Sequence, residues 1–287
     1  MSAISRPVIA LGARSGLMLA VGSGLGVLGL TWPFFVHSSS RDLSPDLAHS
    51  ADAPWLFALL LPILLAVLLA ELADGSLDAK AVAVLGVLCA CGAALRLPSG
   101  GLTGFTLVFF LLIPAGRVFG PGFGFVLGAL TLLVSALITG GVGPWLPFQM
   151  LGAGWVGFFA GCLPRATGRR ELVLLAAYGA LAGLAYGLVL NLWFWPFGAG
   201  TSGLAFHPGD GVTDNVARFW AFHLATSLGF DIPRAVGNAA LVLFAGAPVL
   251  AALRRTSRRA VFHAEAYFSV VEHEAGIRPI RAEMSVR

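Results

Sequence analysis

Three side-chain amides, Gln149, Asn191 and Asn238, lie in or at the ends of long apolar runs that also carry Trp145, Trp193, Trp195 and Trp220. An amide finds no hydrogen-bond partner in lipid, so these three should face a cavity or each other. Tryptophans gather at membrane interfaces in any case. Amides contributed by three helices and roofed by indoles would suit an organic, ring-bearing ligand. Charged candidates are few. Glu71 and Arg96 close apolar runs, and Arg117 sits at a turn. Asp231 and Arg234 are three apart on one helical face, a spacing that serves a structural salt bridge and a ligand contact alike. Position alone gives a candidate binding set of Arg96, Trp145, Gln149, Asn191, Trp193, Asp231, Arg234 and Asn238.

Other motifs fall away on context. Gly24-Leu-Gly26-Val-Leu-Gly29 fits the dinucleotide pattern GxGxxG, but it sits inside an apolar run with no preceding strand to build a phosphate cradle. There is no P-loop, so the chain has no ATP hydrolysis by that route. Gly200-Thr-Ser202-Gly203 resembles the GxSG of intramembrane rhomboid proteases, with His207 and His223 as conceivable bases. Ser202, however, lies in a loop rich in Gly and Pro rather than inside a helix bundle. No buried carboxylate ladder of the kind a self-contained carrier needs is present. Cys89, Cys91 and Cys162 support neither a disulfide framework nor a zinc site. The expectation is therefore no catalytic residue, no metal and no cofactor.

The elements that must hold these residues are membrane helices. Of 287 residues, 57% are hydrophobic and 11% charged, against about 25% charged in soluble domains, so a soluble globule is excluded. Eight spans are expected, at about 16–36, 55–72, 80–95, 105–117, 121–140, 148–164, 171–195 and 232–253. The fourth is short and carries Pro114, which predicts burial within the bundle or a kink. Of the 18 basic residues Lys80 is the only lysine, and net charge is +4. With the N-terminus in the cytoplasm, Lys80, Arg117, Arg165, Arg169, Arg170 and Arg254 all fall inside, and only Arg41, Arg96, Arg218 and Arg234 fall outside. An even number of spans returns the C-terminus to the same side. The outer face then receives the connections 37–54, 97–104, 139–147 and a long one at 197–231, elaborate enough to roof a site open to the exterior. A charged tail follows at 256–287.

Small residues recur at helical spacing: Gly120, Gly124 and Gly128; Gly154, Gly157 and Gly161; Gly179, Gly183 and Gly187; and Ala79, Ala83, Gly86, Ala90 and Ala94. In lipid such strips let backbones approach closely. Most should serve packing within the bundle. More are present than one bundle needs, so one can meet another membrane protein.

Residues 79–254 resemble the substrate-binding S component of an energy-coupling factor (ECF) vitamin transporter. The resemblance rests on Ala-Ala-Leu-Arg96, Val118-Phe-Gly-Pro-Gly-Phe-Gly124, Ser135, Gly143-Pro-Trp-Leu-Pro-Phe-Gln-Met150 and Asp231-Ile-Pro-Arg234-Ala-Val-Gly-Asn238. It implies an all-α membrane protein: a six-helix core at 79–255, preceded by two extra helices within 1–78 and followed by the tail 256–287. It further implies a protein without enzymatic activity that captures a vitamin-like small molecule outside the bacterial cell membrane. Such a component works with a transmembrane T component and two cytoplasmic ATPases, in the bilayer and without nucleic acid. An alanine-rich face on the first core helix docks onto the T component, which corresponds here to Ala79 and Ala83 with Gly86 and Ala90. The whole bundle then topples to deliver its cargo, which a scarcity of intramembrane charge permits. The Gly-Pro-Trp-x-Pro-x-Gln-Met run leans towards cobalamin. The alternatives are a self-contained secondary carrier and an intramembrane serine hydrolase centred on Ser202.

Overall fold

The computed structural model describes residues 13–35, 61–62, 66, 79–97, 107–198, 203–207 and 209–261. Its helices are α1 (Ala13–Thr31), running into a 3-10 turn at Trp32–Phe34, then α2 (Ala79–Arg96), α3 (Val108–Phe119), α4 (Pro121–Thr139), α5 (Leu146–Cys162), α6 (Gly168–Gly198) and α7 (Val212–Val261). No strand occurs among the described residues. Gly16–Phe34, Pro121–Thr139, Gly168–Phe197 and Val212–Arg258 are long and apolar enough to cross a membrane, and α3 and α5 are shorter apolar helices. The chain is an all-α membrane protein. The expected span 55–72 lies almost wholly outside the described residues, as do Glu71, Ser202 and most of the tail.

Helix α3 shows how the interior is built. Its 12 residues span roughly 18 Å, short of a bilayer core of about 30 Å. Ten of them are buried, so neighbouring helices rather than lipid cover its ends. It stops at Gly120, whose φ of 111° few other residues adopt, and Pro121 starts α4 at once with a backbone already set for a helix. A Cβ on Gly124 would strike the carbonyl of Gly157, and one on Gly128 the carbonyl of Ala153. Helices α4 and α5 therefore meet backbone to backbone. On α6, Gly183 lies under Ala235 and Gly187 under Asp231, which lets α7 close against it. These glycine strips serve packing inside the bundle.

The strip on α2 is different. Ala83, Gly86 and Ala90 are exposed, Val87 on the same side is 64% exposed, and no atom of the described residues lies within 4 Å of where a Gly86 Cβ would stand. Only the other side of α2 packs inward, through Leu85, Cys89, Gly92 and Ala93. Helix α1 docks on the far side of the bundle. Trp155 Nε1 donates to Ser23 Oγ at 2.9 Å, and Phe34 stacks on Trp195 with ring centroids 5.7 Å apart.

Two expectations need correction. The last helix begins at Val212, not at 232, so most of the expected long connection 197–231 is helical. Val212–Asp231 is too polar to read as a span, and Pro233 resembles a helix start. Burial of Phe219 and Phe222 beside Trp195 overrides both signals. At 50 residues, roughly 75 Å, α7 is far longer than a bilayer crossing requires. The second correction concerns the three amides, which do not converge.

Candidate functional site

The polar side chains of the bundle interior collect at the end marked by Arg96 and Asn191. Arg96, at the last turn of α2, turns inward. Its Nη2 donates to Gln149 Oε1 on α5 at 3.0 Å, and its Nη1 reaches Ser135 Oγ on α4 at 3.5 Å. Gln149 can be there because Gly143–Trp145 turns the chain directly into α5. Trp145 is 39% exposed at the helix start, where its Nε1 donates to the Gly141 carbonyl at 3.1 Å.

A second cluster lies between α6 and α7. Arg234 Nη1 donates to Asp231 Oδ1 at 2.6 Å and to the Gly183 carbonyl at 3.1 Å. Ser227 Oγ donates to Asp231 Oδ2 at 2.6 Å. Asp231 is 1% exposed and Arg234 8%, so this is a buried ion pair. Absence of the Gly187 side chain leaves the space the carboxylate fills. One turn beyond, Asn191 Nδ2 donates to Thr226 Oγ1 at 3.2 Å and lies 3.1 Å from His223 Nδ1.

Tyr186 stands between the two clusters. Arg234 sits over its ring at 5.5 Å, the ring lies against Gly152 one turn from Gln149, and Phe109 packs edge-on at 4.9 Å. A cleft of about 540 Å³ opens beside the second cluster, lined by Asn191, Phe194, Phe222, Thr226, Asp231 and Arg234 among others. That volume lies within the usual range of small-molecule pockets, about 300–1,000 Å³. Aromatic walls over a polar floor fit an organic ligand that makes both stacking and hydrogen-bonding contacts. Among the described residues no group of three or more His, Cys, Asp or Glu could hold a metal ion.

Asn191, Asp231 and Arg234 thus line one cleft, while Arg96 and Gln149 pair on the other side of Tyr186. Trp193 packs among Trp145, Phe148 and Phe197, with its Nε1 buried and without a partner. Asn238 lies deeper. It abuts Gly179, twelve residues and roughly 18 Å along α6 from Asn191, and its buried Nδ2 has no partner. Asn238 therefore sits at a different depth from Gln149 and Asn191, which share one end of the bundle but bond to different partners. Trp220 is 48% exposed, as an interfacial belt residue would be. Position-based reasoning missed Tyr186, Thr226 and Ser227. Ser227 was findable, since Ser227 and Asp231 are spaced i, i+4, but only once that stretch is known to be helix.

The opposite end of the bundle holds a structural clamp. Glu171, with a side chain 2% exposed, accepts from Arg117 Nε at 2.9 Å and from Arg254 Nη2 at 2.6 Å. Arg117 Nη1 also donates to the Leu163 carbonyl at 2.8 Å, so one carboxylate ties together α3, α6 and α7.

A bundle of apolar helices with one polar end and a small-molecule cleft defines a membrane substrate-binding component. Residues 80–245 match the family model for the ECF transporter, substrate-specific component. The match covers more than half of the chain, which belongs to that family: it is a substrate-specific component of a transporter. No curated protein and no solved structure matches the chain.

Proposed function

We propose that the chain is the capture subunit of an ECF importer for a vitamin-sized micronutrient, in the cell membrane of a bacterium. It takes its cargo from outside at the Arg96 end and delivers it with a T component and two cytoplasmic ATPases. The observation that carries this reading is the polar, aromatic-walled cleft at one end of an apolar bundle whose interior charges are few and mostly paired. The charge asymmetry supports the orientation: Lys80, Arg117, Arg165, Arg169, Arg170 and Arg254 lie at the end away from Arg96, as a cytoplasmic face requires. On this reading both termini are cytoplasmic, 79–255 is the transporting core, and 1–78 and 256–287 are additions to it.

The exposed strip of Ala83, Gly86 and Ala90 is the proposed docking face for the T component, with Ala79 at its start. It is the small-residue strip that the described helices leave uncovered, and close backbone approach is what such strips provide in lipid. Ligand contacts are assigned to Asn191, Asp231 and Arg234 in the cleft and to Arg96 and Gln149 beside it. Trp145 and Trp193 supply ring surface beside Gln149, and Asn238 offers a donor deeper in the bundle. Cobalamin remains the cargo that the Gly143–Met150 run favours, but a corrinoid is too large for a cleft of about 540 Å³, and the cleft alone favours a smaller, single- or double-ring compound.

Mass spectrometry of small molecules retained by the purified, detergent-solubilised protein tests this. The expected result is one vitamin-like compound at near-stoichiometric amount. Purified protein that retains no such compound, and is not stabilised by any vitamin added back, would overturn the reading.

A further inference from the structure

We infer that the cargo carries an anionic group, a carboxylate or a phosphate, and that Arg96 holds it; this rests on reading the chain as a capture subunit. The inference comes from comparing the arginines buried or half-buried in the bundle. Arg234 is neutralised by Asp231, and Arg117 by Glu171, each at hydrogen-bonding distance. Arg96 turns inward as they do, yet its partners, Gln149 Oε1 and Ser135 Oγ, are both neutral. Among the described residues, Asp231, Glu171 and Asp210 are engaged by other arginines, and Asp214 is exposed at the start of α7. No described carboxylate is paired with Arg96.

A guanidinium drawn into an apolar bundle without a counter-charge is costly, whereas an anion supplies both charge and acceptors. Arg96 can give more than it does. A guanidinium has five N–H donors in a planar fork, and the two contacts here leave donors for a bidentate carboxylate or phosphate. Gln149 and Ser135 then act as positioning residues, fixing the fork's plane from α5 and α4.

The test uses the full chain in nanodiscs, stripped of ligand, titrated with biotin, pantothenate, nicotinate and thiamine monophosphate as anionic probes. Riboflavin, pyridoxine and thiamine serve as uncharged or cationic ones. The expected result is that the tightest binder is anionic and that Arg96→Gln weakens it about 30-fold or more. The neutral amide or ester of that compound should bind wild type and Arg96→Gln equally poorly. Where Arg96→Gln does not fold, Arg96→Lys decides: it keeps the charge without the fork and should weaken the anion about tenfold while leaving the amide unchanged. An uncharged or cationic tightest binder, or an anion bound equally by wild type and variant, overturns the inference while the capture reading stands. Failure of every probe overturns it too, and the capture reading falls with it only if uptake with the T component and ATPases also fails.

Discussion

Replacing Asp231 by alanine should lower the stability of the protein by about 3–5 kcal/mol, because it strands a buried guanidinium. Arg234 is 8% exposed and would keep the Gly183 carbonyl while losing the Asp231 carboxylate. Ser227 would lose its acceptor as well, leaving a second buried group unpaired. In thermal unfolding the loss should appear as a fall of roughly 10 °C in apparent Tm. The double variant Asp231→Ala, Arg234→Met should recover most of that loss, since removing both charges removes the uncompensated one. A double variant no more stable than the single one would mean that an uncompensated Arg234 charge is not what destabilises Asp231→Ala. The same double variant should still bind poorly, as both residues line the cleft.

A leucine at Gly86 should act in the opposite way, leaving the protein intact and stopping transport. No atom of the described residues lies near that position, so the larger side chain meets none of the described helices, and leucine favours helix over glycine. Thermal stability and ligand affinity should both match wild type. If α2 is where the T component seats, the same leucine holds the two backbones apart, and ligand uptake should fall by roughly tenfold or more. A Gly86→Leu protein that transports normally would move the docking face elsewhere. Gly124→Leu is the useful contrast: it collides with the Gly157 carbonyl inside the bundle and should impair folding itself.

Much of this architecture was legible in the sequence, for identifiable reasons. Gly120-Pro121 marks a helix boundary because glycine alone tolerates that φ readily and proline opens the next helix. The small-residue spacings of α4, α5 and α6 encode close contacts directly. The Asp231–Arg234 pair follows from i, i+3 spacing alone. The beginning of α7 was hidden, since its first twenty residues are stabilised by aromatic packing on a distant helix rather than by a local pattern. Across helices, local spacing carries no information. Arg96 and Gln149 are 53 residues apart, and only the fold brings them together. Conversely, Gln149, Asn191 and Asn238 share a chemistry and a preference for apolar flanks, yet Asn238 lies deeper in the bundle and the other two bond to different neighbours. The position of Tyr186 between the two clusters was illegible for the same reason.

The most direct measurement is uptake of the co-purifying ligand into proteoliposomes containing this chain alone, and containing it with its T component and ATPases. Accumulation only with the full set, and only with hydrolysable ATP inside the appropriate compartment, is the predicted result. Uphill accumulation by the lone chain, driven by an ion gradient and indifferent to ATP, would contradict it.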